Sequence, residues 1–274
     1  GCWYSQDEVR EIIAYAAAKG ISIIPEIDLP GHMLAALAAY PELGCTGGPY
    51  DVWGRWGIAD EVLCAGKEET MVFLENVLAE VAELFPSEYV HIGGDECPKV
   101  EWEKCPHCQA KIKELGLKDD ENYDAEHYLQ SYVMTRMTNF LSSKGKKIIG
   151  WDEILEGEVA ENAIVMSWRG TAGGIKAAQM GHDVIMTPAG NGMYIDAYQG
   201  DPKLEPVAIG GNCPLELTYS YNPVPDTLVA MGKAHHILGV QANTWSEYMY
   251  TNDIREYRTY PRALALAEIA WTQL

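Results

Sequence analysis

The sequence predicts an α/β fold of the (β/α)8 TIM-barrel type, and three observations carry that expectation. About six short apolar strands alternate with helices, the order expected of parallel βα units. Nearly every strand runs into a group of Trp, Tyr, Asp, Glu or His, rather than one strand alone doing so. The loops after all barrel strands converge on one face, whereas a doubly wound sheet gathers its site at a single crevice. No linker, low-complexity tract or internal repeat interrupts the pattern, so residues 1–274 read as one domain.

The elements follow in order. Ser5–Lys19 opens on an N-cap serine with Glu8 three residues later, a capping box, and Val9, Ile12, Ile13 and Ala16 keep helical spacing until Gly20. Ile21–Ile27 reads as an apolar strand of the kind buried on both faces, leading through Asp28 to His32. Residues 41–66 form a long glycine-rich loop carrying Trp53 and Trp56, a length uncommon outside functional loops. Lys67–Phe85 reads as an amphipathic helix with Val72, Phe73, Val77, Val81 and Leu84 on its apolar side. Tyr89–Ile92 is a β-branched run that Gly93-Gly94 ends, and Val100–Leu115 and Asp124–Lys144 read as helices. Lys147–Gly150 is a strand leading to Trp151, and Ala163–Ser167 one leading to Trp168. After a helix at Thr171–Met180, the strand Asp183–Thr187 precedes a loop with Tyr194, Asp196 and Tyr198. The stretch 202–225 predicts no regular element. His236–Gln241 is a strand leading to Trp245 and Glu247, and Arg255–Leu274 reads as one final helix.

Composition narrows the function. A net charge of −20 argues against nucleic-acid or anionic-membrane partners, which need basic patches, and favours neutral or cationic substrates. The aromatic set is skewed, 16 Tyr and 8 Trp against 3 Phe, and flat faces with a polar handle suit sugar rings. No apolar run approaches the ~18 residues of a membrane span, and no leader is visible. Of the seven cysteines, Cys45 and Cys64 flank the long loop and could pair if the protein is exported. Cys97, Cys105 and Cys108 include a Cys-x-x-Cys around His107, but the second pair of a zinc site is missing. Free or buried thiols are therefore the preferred reading, and no metal or organic cofactor is expected.

The chemistry centres on Asp95 and Glu96. Successive strand residues face opposite ways, so both acids can face one pocket only because Gly93-Gly94 ends the strand before them. Adjacent carboxylates repel, which favours holding one proton between them and suits acid catalysis.

His91-Ile92-Gly93-Gly94-Asp95-Glu96 resembles the signature of family 20 glycoside hydrolases, the β-N-acetylhexosaminidases. Pro25–His32 is similar to that family's motif after the third barrel strand, and Gly150–Glu153, Met166–Arg169, Tyr194–Asp196 and Gln241–Glu247 resemble the ends of strands five to eight. The resemblance covers essentially the whole chain, as strands 3 to 8 of a (β/α)8 barrel. It implies a retaining exo-acting enzyme that removes terminal GlcNAc or GalNAc, with the substrate's 2-acetamido oxygen as nucleophile and an oxazolinium intermediate. It also implies roles. Glu96 would be the general acid and then the base; Asp95 would accept the acetamido N–H; Tyr194 would donate to the acetamido oxygen. Trp151, Trp168 and Trp245 would wall the sugar, Asp196 and Glu247 would bind its distal hydroxyls, and His32 and Asp28 would tune Glu96.

The family's first two barrel strands have no counterpart before Ser5, nor does the arginine they carry. Two apolar edges, at Ile21–Ile27 and His236–Gln241, are then expected to pair with missing strands or with a second copy, and the chain alone is expected to hydrolyse weakly or not at all. A specialised member of the family, releasing a disaccharide or trimming sulfated sugars, is an alternative. So is a glycan-binding protein on the same scaffold, against which the intact Asp95, Glu96 and Tyr194 weigh. A glycan-degrading role would suit export to the periplasm or beyond, although no residue shows it.

Overall fold

The computed structural model describes residues 3–272. The chain divides into two compact units, Gly1–Ala163 and Ile164–Leu274.

The first unit begins with α1 (Gln6–Ala17). Ser5 caps it, with the Ser5 and Glu8 side chains each satisfying the other's backbone N–H. The strand that follows, β1 (Glu26–Leu29), is shorter and later than the expected Ile21–Ile27. Ile21 and Ile24 are 55% and 41% exposed, so that apolar run lies outside the strand rather than buried on both faces. Next come α2 (Leu34–Ala39), a short helix not among the elements expected from the sequence, and α3 (Glu68–Leu84). The side of α3 that buries is Thr70, Met71, Leu74 and Leu78, not the expected Val72 side, since Val72 is 45% exposed. Two apolar stripes lie side by side on this helix, and pattern alone does not say which one packs deepest.

β2 (Tyr89–Gly93) is followed by α4 (Val100–Lys104) and α5 (Pro106–Leu115), two helices where one was expected. Proline disfavours helical backbone at the residue before it, and Cys105 is extended there. α6 (Ala125–Ser143) and β3 (Lys147–Trp151) complete the unit. β1, β2 and β3 are parallel, with Glu26 beside His91 and Val90 beside Ile148.

The second unit holds β4 (Ile164–Ser167), α7 (Ala172–Met180), β5 (Val184–Met186), α8 (Leu215–Tyr219), α9 (Asp226–Ala230) and β6 (Ile237–Val240). The helix α8 corrects the expectation that 202–225 lacks regular structure. α10 (Asn252–Thr259) and α11 (Arg262–Trp271) stand where one long helix was expected, broken at Tyr260-Pro261 for the same reason as at Cys105-Pro106. The end of that expected helix, Gln273 and Leu274, lies outside the described residues. β4, β5 and β6 are again parallel, with Met166 beside Ile185 and Ile185 beside Gly239.

The Cys45–Cys64 pairing that export would have allowed is not formed, and among the described residues Cys45, Cys64, Cys97, Cys105, Cys108 and Cys213 are all unpaired by disulfides, in line with the preferred reading. No helix among the described residues is long and apolar enough to cross a membrane.

Candidate active site

In the first unit, the ends of β1 and β2 bring four predicted residues together. His32 Nε2 lies 3.4 Å from Asp95 Oδ2 and 3.3 Å from Glu96 Oε2. Asp28 Oδ1 accepts the Gly94 backbone N–H at 3.2 Å. This approach requires glycine at 93: its φ is +65°, and a Cβ there would lie 1.6 Å from Asp28 Oδ1. His32 and Glu96 are, among the described residues, the two non-glycine positions with positive φ, at 53° and 42°. Backbone held in this sparsely populated region is a common mark of functional sites.

The electrostatics follow from burial and charge. Asp28 is pushed up to about 9, first by burial and then by the negative charge of Asp95. His32 is raised to about 10 by its contacts with Asp95 and then Glu96, so it sits as a cation against the acid pair. Asp95 Oδ1 is buried and receives no N–H from the described residues. An incoming N–H would satisfy it. Asp28, His32 and Asp95 place one ligand-capable atom each within 4.8 Å of one another, and these atoms belong to this same charge network.

Trp151 is 2% exposed at the end of β3, and its Nε1–H donates to Glu26 Oε1 at 3.0 Å. His91 packs against its ring with centroids 4.8 Å apart. Burial holds His91 down to about 3, so its neutral Nδ1 accepts the Gly93 N–H at 3.0 Å.

In the second unit, the predicted aromatic residues meet around Tyr194. The Trp168 ring stacks on it with centroids 6.2 Å apart, and the Trp245 ring meets it edge-on at 6.5 Å. Strand-like pairing holds this segment, with Ile195 N–H on the Asn243 carbonyl and Asn243 N–H on the Met193 carbonyl. Asp196 is buried, and its carboxyl is pushed up to about 6 by that burial. The Asp196 and Trp245 backbone N–H groups oppose the rise, and the charge of exposed Glu247 adds to it.

Several supporting residues escaped the sequence reading. Gln130 Nε2 on α6 donates to the Gly94 carbonyl at 2.7 Å, and its Oε1 accepts from Lys99 Nζ at 2.6 Å. Its place on the stripe of Met134, Met137 and Leu141 was the available signal, a polar residue at a core position. Arg262 is fully buried and donates to the carbonyls of Ile195 at 2.6 Å, Ala197 at 3.0 Å and Cys213 at 2.8 Å. Arg258 joins it on Ala197 and pairs with Glu205 at 2.7 Å. Both arginines look, in sequence, like ordinary charges on a terminal helix.

Parallel βα units with carboxylates, a histidine and aromatic residues after the strands define a carbohydrate-processing class of protein. The chain belongs to glycosyl hydrolase family 20: residues 1–274 match the family's catalytic-domain model. It is 53% identical to a β-hexosaminidase of Porphyromonas gingivalis over 99% of this chain and 34% of that protein. It is 38% identical to a β-hexosaminidase of Vibrio furnissii over 97% of this chain and 43% of that protein. The chain thus spans less than half the length of these two relatives. Among solved structures, a chitobiase of Flavobacterium johnsoniae superposes with a TM-score of 0.84 at 33% identity, covering 99% of this chain and 39% of that one. A family 20 exo-β-N-acetylglucosaminidase of Vibrio harveyi, in complex with N-acetylglucosamine, gives 0.85 at 32% identity, covering 100% and 42%. The α/β, (β/α)8-type class expected from the sequence is that of this family.

Proposed function

We propose that this catalytic domain removes terminal, non-reducing β-linked GlcNAc or GalNAc from glycans with retention of configuration, using the substrate's own acetamide as nucleophile. The observation that carries the reading is the placement of the His32 cation against both Asp95 and Glu96, with a buried Asp95 oxygen that receives no N–H from the described residues. Glu96 donates a proton to the glycosidic oxygen as the acetamido oxygen bonds to C1 and the C1–O bond to the leaving group breaks. Asp95 accepts the amide N–H and balances the positive charge of the oxazolinium ring. Glu96, now a carboxylate, takes a proton from water as that water attacks C1 and reopens the ring. The product keeps the β configuration.

The second unit is assigned the sugar contacts. Tyr194 donates its hydroxyl to the acetamido oxygen and aims it at C1, a positioning effect that can lower a barrier by several kcal/mol. Trp168 and Trp245, with Trp151, line the sugar, and Asp196 and Glu247 accept its distal hydroxyls. The buried Asp196 oxygens, without a closed hydrogen bond among the described residues, support that assignment. The N-acetylglucosamine in the Vibrio harveyi structure supports the substrate class.

The test compares hydrolysis of 4-nitrophenyl β-N-acetylglucosaminide with that of the matching β-glucoside, which lacks the acetamide. The reading expects weak but measurable turnover of the first and almost none of the second. Equal turnover of both would overturn it.

A further inference from the structure

We propose that Cys45, Cys64, Cys105 and Cys108 bind a structural zinc ion as four thiolates. The two halves of this site are far apart in sequence, and the first unit brings them together. Residues 43–45 and 63–65 run side by side: Gly44 bridges Leu63 in antiparallel fashion, and the Cys64 N–H bonds the Leu43 carbonyl at 2.9 Å. Lys67 Nζ closes the base of the loop on the carbonyls of Glu42 and Gly44, each at 2.7 Å. Cys45 therefore stands next to Cys64.

The second half comes from the elbow between α4 and α5. Trp102 Nε1–H donates to the Leu63 carbonyl at 2.9 Å and so fixes the elbow against the loop. Pro106 starts α5, which places Cys105 at the cap and Cys108 in the first turn. Gly66 lets the two backbones touch, since a Cβ there would lie 2.2 Å from the His107 carbonyl.

The sulfur geometry selects the ligand. Cys64 Sγ is 3.6 Å from both Cys105 Sγ and Cys108 Sγ, and Cys45 Sγ is 3.9 Å from Cys108 Sγ. All four sulfurs lie within 4.8 Å of one another. Disulfide sulfurs are about 2.0 Å apart. Four sulfurs about 2.3 Å from a zinc ion at tetrahedral angles are roughly 3.8 Å from each other. Four thiolates leave no open coordination position, which marks a structural rather than a catalytic centre, and tetrahedral sulfur favours zinc. Cys64, Cys105 and Cys108 are buried while Cys45 is partly exposed, which leaves a route for the metal to enter.

The site would tie both ends of the loop that carries Trp53 and Trp56 to the segment following Glu96. It also reaches the acid pair, because the Leu63 N–H bonds the Pro30 carbonyl at 3.1 Å, two residues before His32.

The experiment measures the metal content of the purified protein by elemental mass spectrometry, then replaces the metal with cobalt(II). One zinc per chain, strong tetrahedral cobalt d–d absorption with thiolate charge transfer, and four thiols that react with Ellman's reagent only after chelation are expected. Cys64→Ser should lose the cobalt signature and Cys213→Ser should retain it. The wild-type cobalt spectrum and thiol count decide the matter even if Cys64→Ser fails to fold. Iron in place of zinc, two disulfides by mass, or four reactive thiols with no stoichiometric metal would each overturn the proposal.

Discussion

His32 Nε2 lies 3.3 Å from Glu96 Oε2, and both residues hold a left-handed backbone that side chains ordinarily avoid. Each such residue costs roughly 1–3 kcal/mol, a cost that surrounding structure must offset. The strain exists where the two side chains meet, at the turns after β1 and β2. His32→Asn therefore makes a discriminating variant, because asparagine tolerates this backbone but carries no positive charge. The expected result is a lower denaturation midpoint at neutral pH, where the lost cation leaves the acid pair uncompensated, and a kcat lower by roughly 10- to 100-fold.

Glu96→Gln removes the acid without changing its shape. The rate on a 4-nitrophenyl or natural substrate should fall by about 10²- to 10⁴-fold. A 2,4-dinitrophenyl glycoside, whose leaving group needs little protonation, should recover much of that loss in the first step. Asp95→Asn should show no such recovery, since its assigned role is at the acetamide.

The pH dependence of stability has a definite sign. Asp28 stays protonated up to about 9 in the fold against a reference value of 3.8, so between these the native state holds a proton that the unfolded chain lacks. Stability then falls as pH rises across that range. His32, raised from 6.5 to about 10, acts in the same direction over its own interval: its contribution is complete below 6.5 and gone above 10. His91, lowered from 6.5 to about 3, acts oppositely and costs stability as pH falls below 6.5. Urea midpoints at pH about 5, 7 and 9 should show Asp28→Asn with a flatter decline toward alkaline pH than the wild type.

Gly93→Ala should be among the most damaging glycine substitutions. The new Cβ would fall 1.6 Å from Asp28 Oδ1 with φ at +65°. A loss of about 3 kcal/mol or more is expected. Gly47→Ala, at φ +75° with nothing within 4 Å of the Cβ, isolates the backbone cost alone. About 1–2 kcal/mol is expected there. Equal losses by denaturant unfolding would contradict the assigned close approach of Asp28.

Arg262→Met keeps bulk but leaves the carbonyls of Ile195, Cys213 and Arg258 without this buried donor, and that of Ala197 with Arg258 alone. Destabilisation of about 3–5 kcal/mol is expected by urea unfolding. Because these carbonyls flank Asp196, KM should rise in the variant that remains folded.

The alternation of strands and helices was legible because apolar runs, caps and glycine stops act locally. Ser5 with Glu8 announced α1, and Gly93-Gly94 announced the end of β2. What failed depends on tertiary context. The Ile21–Ile27 run has strand composition, but its first residues find no partner strand, so β1 starts at Glu26. The breaks at Pro106 and Pro261 were readable from proline's effect on its predecessor, and helical periodicity on either side masked them. In the site, the residues with motif context were found, while Gln130 and Arg262 were missed because their partners are backbone carbonyls far away in sequence. The cysteine halves were both visible in the sequence, but their meeting was not.

The most direct measurement is inhibition of 4-nitrophenyl β-N-acetylglucosaminide hydrolysis by a thiazoline that mimics the cyclised acetamide, on the wild type and on Asp95→Asn. Participation of the acetamide predicts tight competitive inhibition of the wild type, weakened by about tenfold or more in Asp95→Asn as one charged hydrogen bond is lost. Turnover that the thiazoline leaves untouched would contradict the account.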